Sequence, residues 1–368
     1  MFKRIKIISF CLLASFLAFT PSVFAQESFN DVEIFKARVV EVIERNENIR
    51  EDGSISIQQK IKLKGLEGDW KDKEVIYDGT GHDVIASAGY ELGDKVLVNY
   101  SPSFEGEDNF YIVDYVRQGS LYWLIVIFAL IVVLIGRLKG LRALVVLALT
   151  FLVILKFIIP QIMAGNNPLL ISIIGSLFIL VLAIYITEGL NKSSSLSIVS
   201  ILISLIITGL LAIWFTEMSK LSGFADEDVL FLVGMTGQAI DIKGLFLAGV
   251  IIGSLGVLDD VVIAQVALVK ELKAPRISNS QVYKKAMKVG ISHLSSMVNT
   301  LFLAYAGVAL PLFILFSLKS SNLLTYGNVM NNEMIAVEIV RTLVGSIGLV
   351  LAVPISTFLA VRFLGKKK

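Results

Sequence analysis

From residue 119 onward the chain is a succession of apolar segments, each close to the ~20 residues that a helix needs to cross a bilayer. Seven can be counted, at about 119 to 136, 141 to 163, 168 to 188, 195 to 216, 243 to 270, 285 to 317 and 333 to 362. In hydrocarbon every backbone polar group must be satisfied within the structure, so segments of this length fold as spanning helices. Composition agrees, since 55% of the 368 residues are hydrophobic and only 17% are charged, which disfavours a soluble globule. The expected fold is an all-α polytopic membrane bundle.

The N-terminal part differs in kind. Lys3, Arg4 and Lys6 precede an apolar run that ends in Val23-Phe24-Ala25, the layout of a secretory signal peptide over residues 1–25 cleaved after Ala25. A retained first helix is the alternative, and Pro21 argues against it. Cys11 is the chain's one cysteine, which excludes a disulfide framework or a cysteine metal site. Phe10 before it argues against a lipoprotein cleavage box.

Residues 26–118 are charged, punctuated by glycine and alternating. ARVVEVIER, ISIQQKIKLKGL, DKVLVNY and NFYIVDYV each have a period near two and are rich in Val, Ile and Tyr. About five strands are expected there, forming a small β-barrel of OB type. Behind a signal peptide, this domain is expected to be extracytoplasmic, with 119–368 forming the transmembrane helical domain.

Charge distribution supports that orientation. The connections expected on the cytoplasmic side hold Arg137, Lys139 and Arg142, then Lys192, then a cluster from Lys270 to Lys288, and finally Arg362 and Lys366 to Lys368. The opposite connections hold Asn166 and Asn167, then Asp226, Glu227 and Asp228, then Asn328, Asn331 and Asn332. The bias follows the positive-inside rule, with the C-terminus cytoplasmic. Residues 228–240 are apolar but short and carry two glycines, so they are expected to form an interfacial or re-entrant piece. The net charge of +2 gives no reason to expect a nucleic-acid partner.

Within the fifth span, GSLGVLDDVVIAQ places Asp259 and Asp260 side by side, ~22 Å from the segment's start near Lys243 at 1.5 Å per residue. A carboxylate facing lipid at that depth costs on the order of 3 kcal/mol. Gly249, Gly253, Gly256, Asp260, Ala264 and Ala267 recur at spacings of three and four, a small-residue stripe on which Asp260 is expected to face a packed bundle. Ser292, Ser296, Thr300 and Ala304 follow a similar line in the sixth span, with His293 and Asn299 on its flanks. Arg341, Gly345, Gly348 and Ala352 do so in the last.

Two cations lie within spans, Lys156 and Arg341. Either could neutralise an aspartate, because a buried carboxylate wants a partner. Lys156 could instead snorkel to the outer interface, and Arg341 could pair with Glu338 three residues before it. His293 reads as a packing hydrogen-bond donor, and His82 as a loop residue.

Two adjacent carboxylates repel, so the pair is expected to exchange a proton rather than hold both charges. Asp259, Asp260, Asn299 and Thr300 are alternatively oxygen ligands suited to a hard cation such as sodium.

GSLGVLDDVVIAQVALVKEL followed by KKAMKVGISHLSS resembles the fourth helix, and the start of the next, in resistance-nodulation-division permeases and the SecD and SecF membrane subunits. That resemblance covers about 50 residues and implies a proton-relaying Asp pair with a basic partner from another helix. A longer series resembles the YibE/F family of bacterial membrane proteins: GNNPLLISIIGS, IDIKGLFLAGVIIGSLGVLDDVVIAQ, VNTLFLAYAGVALP and EIVRTLVGSIGLVLAVP, in that order. Together they imply a half-permease core in a bacterial plasma membrane, expected to form a homodimer, with the short MAGNNP connection where such permeases carry a large outer domain.

The expectation is therefore an ion-coupled transporter, proton ahead of sodium, with a scaffold whose outer domain binds a protein partner as the alternative. No nucleophile elbow, HExxH or P-loop is present, which disfavours an enzyme. No cofactor is implied, and the substrate is not encoded in any visible motif.

Overall fold

A computed structural model describes residues 33–49, 55–80, 89–102, 109–224, 227–236, 240–273, 277–317 and 329–365. The expected leader with Cys11 and Ala25, the loop residue His82, the turn at Glu51-Asp52-Gly53, Asp226, Arg276, Asn328 and Lys366–Lys368 lie outside the described residues. The chain divides into two compact units, with the division between Ile131 and Val132.

The first unit holds five strands: β1 (Glu33–Ile49), β2 (Ile55–Gly65), β3 (Glu74–Asp78), β4 (Lys95–Ser101) and β5 (Asn109–Tyr115). They form one antiparallel sheet in the order β3-β2-β1-β4-β5. A closed OB-like barrel was expected, and the sheet is open. Strands β3 and β5 approach each other but form no ladder, since β3 has only five residues and all its pairing goes to β2.

Alternation makes one face apolar. Phe35, Ala37, Val39, Ile61, Leu63 and Val96 are buried on it. The other face of β2 carries Lys60, Lys62 and Lys64, which pair with Asp78, Glu74 and Asp72 at 2.7, 2.8 and 2.9 Å. Trp70 stacks on Phe35 at 5.2 Å and meets Phe110 edge-on at 5.1 Å, covering one end of the core. Gly65 is required there, because a Cβ would lie 2.7 Å from the Trp70 carbonyl carbon.

Tyr77, Tyr90 and Tyr115 close the other end, with ring centroids 6.5 and 5.1 Å apart. The buried amide of Gln59 fixes Tyr90 by accepting from its N–H at 2.7 Å and donating to its carbonyl at 3.0 Å. Burial pushes the Tyr90 phenol up to about 12, with Tyr77 and Tyr115 adding to the shift. A phenol raised in the fold stabilises it fully below the unfolded value of 10.0 and progressively less as pH climbs through about 12. This sheet is thus expected to loosen between those values, reported by Trp70 fluorescence once Trp123 and Trp214 are changed to Phe.

The second unit is helical. Helix α1 (Gln118–Val153), which starts in the first unit and runs into the second, continues through a π-helical turn (Ile154–Ile158) and a last α-turn (Ile159–Met163). There follow α2 (Pro168–Thr187), α3 (Lys192–Met218), α4 (Glu227–Thr236), α5 (Ile242–Leu272), α6 (Asn279–Val308), α7 (Leu310–Ser317) and α8 (Glu333–Phe363).

Among the described residues five helices are long and apolar enough to cross a membrane, where seven spans were expected. The first combines two of the expected spans, broken at Arg137, whose φ of 50° and ψ of −130° are not helical. The chain bends so sharply there that a Cβ on Gly140 would lie 3.3 Å from Val132 Cγ1. Helix α6 has the length of a span, but a polar side lowers its hydropathy. Short α4 occupies the segment expected to be interfacial.

Around α1, Trp123, Ile125, Ile127 and Phe128 are all exposed, as are Leu210 on α3 and Phe358 on α8. Apolar surface on every side of a helix is untenable in water and ordinary in lipid. The protein is a multi-pass membrane protein.

Helices α2, α3, α5 and α8 form the core of this unit, centred on Leu180, Ile201, Ile251, Leu258 and Ala352. Its closest contacts are made by small residues. Gly348 on α8 lies against Thr208 on α3, and Gly345 lies near Ser254 on α5. Along α3, Ser200, Ser204, Thr208 and Thr216 are fully buried, each donating to the carbonyl four residues earlier at 2.6 to 3.0 Å. That internal satisfaction lets hydroxyls serve as small packing groups in an apolar medium.

Polar ties fix the helix ends. Gln281 and Ser278 form a capping box on α6. Glu333 accepts from Ser222 N–H, Ser222 hydroxyl and Gly223 N–H at 2.6, 2.7 and 2.9 Å, joining the end of α3 to the start of α8. Buried Lys273 donates to the carbonyls of Val361, at 2.7 Å, and Leu364, a cation on the C-terminus of α8.

Deeper in, Gln265 of α5 donates to the Ala286 carbonyl of α6 at 3.0 Å and to Thr357 Oγ1 of α8 at 2.7 Å. Gln265→Leu removes both interhelical bonds, leaving each acceptor only its bond within its own helix, and is expected to cost about 1–2 kcal/mol, measurable as a lower melting temperature in detergent.

Candidate functional site: the aspartate pair on α5

Helix α5 has two unlike faces. Val250, Ile251, Leu258 and Val262 are buried against the core. Gly249, Gly253, Gly256, Asp260, Ala264 and Ala267 are exposed. Asp260 was expected to point into a packed bundle, and it points away from the helices of its own chain. Small-residue spacing identifies a face that admits close approach, but it does not say which neighbour comes. Here α2, α3 and α8 take the branched aliphatic face instead. No atom lies within 4 Å of a Cβ built on Gly249 or Gly256, and only Tyr305 Oη of α6, at 2.6 Å, closes on Gly253.

Asp259 stands about 100° round the helix from Asp260 and is half-buried. Its Oδ1 is enclosed and has no hydrogen-bond partner among the described residues. The charges acting on it are those of Asp260 and of Glu188, which follows the last turn of α2. Both are acidic. Sequence reasoning overlooked Glu188 because it stands at the very end of its apolar segment, and only packing of α2 along α5 brings it close. On α2, Ser172 and Ser176 are fully buried and their hydroxyls also lack partners among the described residues.

Neither expected cation acts on Asp259. Arg341 donates to Glu338 Oε1 at 2.7 Å and lies over the Phe246 ring at 5.7 Å. Phe246 precedes Asp259 by 13 residues, about 20 Å along α5, so Arg341 belongs to the end of the bundle where α5 starts. The i, i+3 pairing with Glu338 is the geometry found. Lys156 lies on the exposed side of the π-helical turn.

Asn299 and Thr300 are exposed on α6, and the Thr300 hydroxyl donates to the Ser296 carbonyl at 3.0 Å. Neither is a hydrogen-bond partner of the enclosed Asp259 Oδ1. His293 lines a crevice between α5 and α6 with Val261, Ala264, Gln265 and Met297.

A family profile described as YibE/F-like protein matches residues 124–366, which is more than half of the chain. No curated protein and no solved structure matches it. The match begins inside α1 and runs past the end of α8, and it includes both aspartates. The membrane unit thus carries the kinship, and this chain belongs to the YibE/F-like family of membrane proteins.

Proposed function

We propose that the protein is an ion-coupled permease of the bacterial plasma membrane in which Asp259, coupled to Asp260, takes up and releases a proton. The observation that carries this reading is the enclosed Asp259 oxygen, which has acidic neighbours and no hydrogen-bond partner among the described residues. A carboxylate so placed is stabilised by gaining a proton, and losing it again recharges the α2–α5 contact. Cycling between those forms gives the bundle two states that a proton gradient can bias.

Sodium is the less suitable ion. A hard cation needs several oxygen ligands converging on one point, and Asn299 and Thr300 stand on another helix face. The basic connections support a C-terminus in the cytoplasm and a sheet outside.

Purified protein in liposomes under an imposed pH gradient is expected to change lumenal pH. Asp259→Asn should abolish that flux, and Asp260→Asn should reduce it at least tenfold at equal incorporation. Flux that is unaltered in Asp259→Asn would refute the assignment.

A scaffold is the competing reading, favoured by the exposed Tyr111 and Val113 on edge strand β5, an arrangement open to strand addition by a partner. A scaffold would tolerate Asp259→Asn in cells and fail when the sheet is deleted.

A further inference from the structure

The outward surfaces of the membrane unit are of two kinds. On α3 and α8 they consist of large aliphatic and aromatic side chains, such as Ile206, Leu210, Leu343 and Phe358. On α5, and on the middle of α6 between Ile291 and Phe302, they do not. The exposed side of α5 is glycine, alanine and Asp260, and that of α6 includes Ser292, Ser295, Ser296, Asn299 and Thr300. Helix α6 packs on α5 and α8, both long enough to span, so this polar side lies at membrane depth. Lipid tails offer it neither hydrogen bonds nor knobs for the glycine grooves.

We infer that this face is covered by a second copy of the chain, whose α6 supplies Ser296 and Asn299 to Asp260. Depth supports the pairing. A Cβ on Gly290 would lie 3.0 Å from the Gln265 amide, so antiparallel α6 places Ser295 level with Asp260, and Asn299 about 6 Å above. A two-fold axis along the membrane normal preserves depth and brings the same groups of the other copy to that level. The face is self-complementary, as such an axis requires: Asp260 accepts, Asn299 and the serines donate, and Gly249 and Gly256, unlike Gly253 beneath Tyr305, admit a helix closely. Asp260 then faces protein after all, across an interface between copies. This association does not depend on proton coupling, so either claim can fail alone.

Chains carrying Asp260→Cys, co-expressed with chains carrying Ser296→Cys, Asn299→Cys or, as a control, Leu210→Cys, all in a Cys11→Ser background and oxidised in native membranes, test it. Disulfide-linked dimers joining the two kinds of chain are expected from Ser296→Cys and Asn299→Cys and not from Leu210→Cys. Dimers from Leu210→Cys alone would place the interface elsewhere and overturn the inference. Monomers throughout, with Asn299→Cys labelled by a membrane-impermeant thiol reagent, would show a water-filled crevice and overturn it too, as would monomers without labelling. Gly256→Leu provides a second reading: with open space around Gly256 in its own chain, the variant is expected to fold normally and to dissociate at least tenfold more readily. Unchanged association would count against the interface.

Discussion

Gly348→Leu is expected to unfold the membrane unit under conditions in which the unaltered protein is stable. A Cβ at this position would lie 3.2 Å from Thr208 Cβ and closer still to its hydroxyl. Thr208 cannot swing aside, because it is fully buried and donates to the Ser204 carbonyl at 2.8 Å. The α3–α8 contact must therefore open, exposing Ile201 and Leu205 to misfit. Overpacking of this kind costs about 1–3 kcal/mol for a modest insertion and more for four carbons against backbone-anchored neighbours. That is a large share of a net stability of about 5–15 kcal/mol. Melting curves in detergent should fall by many degrees for Gly348→Leu and stay level for Gly256→Leu. Equal melting of Gly348→Leu and wild type would show that the two helices are not packed as described.

The second large effect separates stability from activity. Asp259→Leu removes a carboxylate whose enclosed oxygen has no hydrogen-bond partner among the described residues, and leucine keeps the same branching, with bulkier methyl groups and no polar demand, at a half-buried position. The fold should gain about 1–3 kcal/mol, the usual cost of an unsatisfied buried polar group, while proton flux disappears. A residue kept at the expense of stability is the pattern of a working site. Asp260→Leu should behave differently, since its side chain is exposed on a single chain: the monomer's melting point changes little and association of copies weakens. If Asp259→Leu melted lower than wild type, the carboxylate would have a stabilising partner and the proposed role would lose its basis.

Much of this architecture is legible in the residues. Alternation in ISIQQKIKLKG gives β2 directly, because a two-residue period has only one way to bury Ile57, Ile61 and Leu63. Apolar runs give the long helices, and the basic residues near Arg137 mark where α1 breaks. Barrel closure was not legible: it depends on whether β3 and β5 reach each other with free ladder groups, which no local pattern encodes.

The site was half visible. The adjacency and depth of Asp259 and Asp260 follow from position along a helix, a one-dimensional property. Which way each faces depends on which neighbours pack on α5, and the choice of the aliphatic face over the glycine face is made in three dimensions. Arg341 illustrates the same limit. As a cation within a span it was a candidate partner for an aspartate, but it lies about 20 Å along the bundle from Asp259 and pairs with Glu338 one turn away. Glu188 had no signal in its own segment, and the hydroxyls of α3 had one that was overlooked: Ser200, Ser204 and Thr208 stand four residues apart, and Thr216 continues the line eight residues on, past Ala212.

The central claim is that Asp259 gains and loses a proton inside the bundle. Infrared difference spectra of the purified protein, taken as pH is stepped across the range of a bacterial cytoplasm and its surroundings, test it directly. A carboxylic-acid C=O band that grows on acidification, is paired with loss of carboxylate bands, and is missing in Asp259→Asn is the predicted result. The same band persisting at full strength in Asp259→Asn, or no such band in wild type, would contradict it.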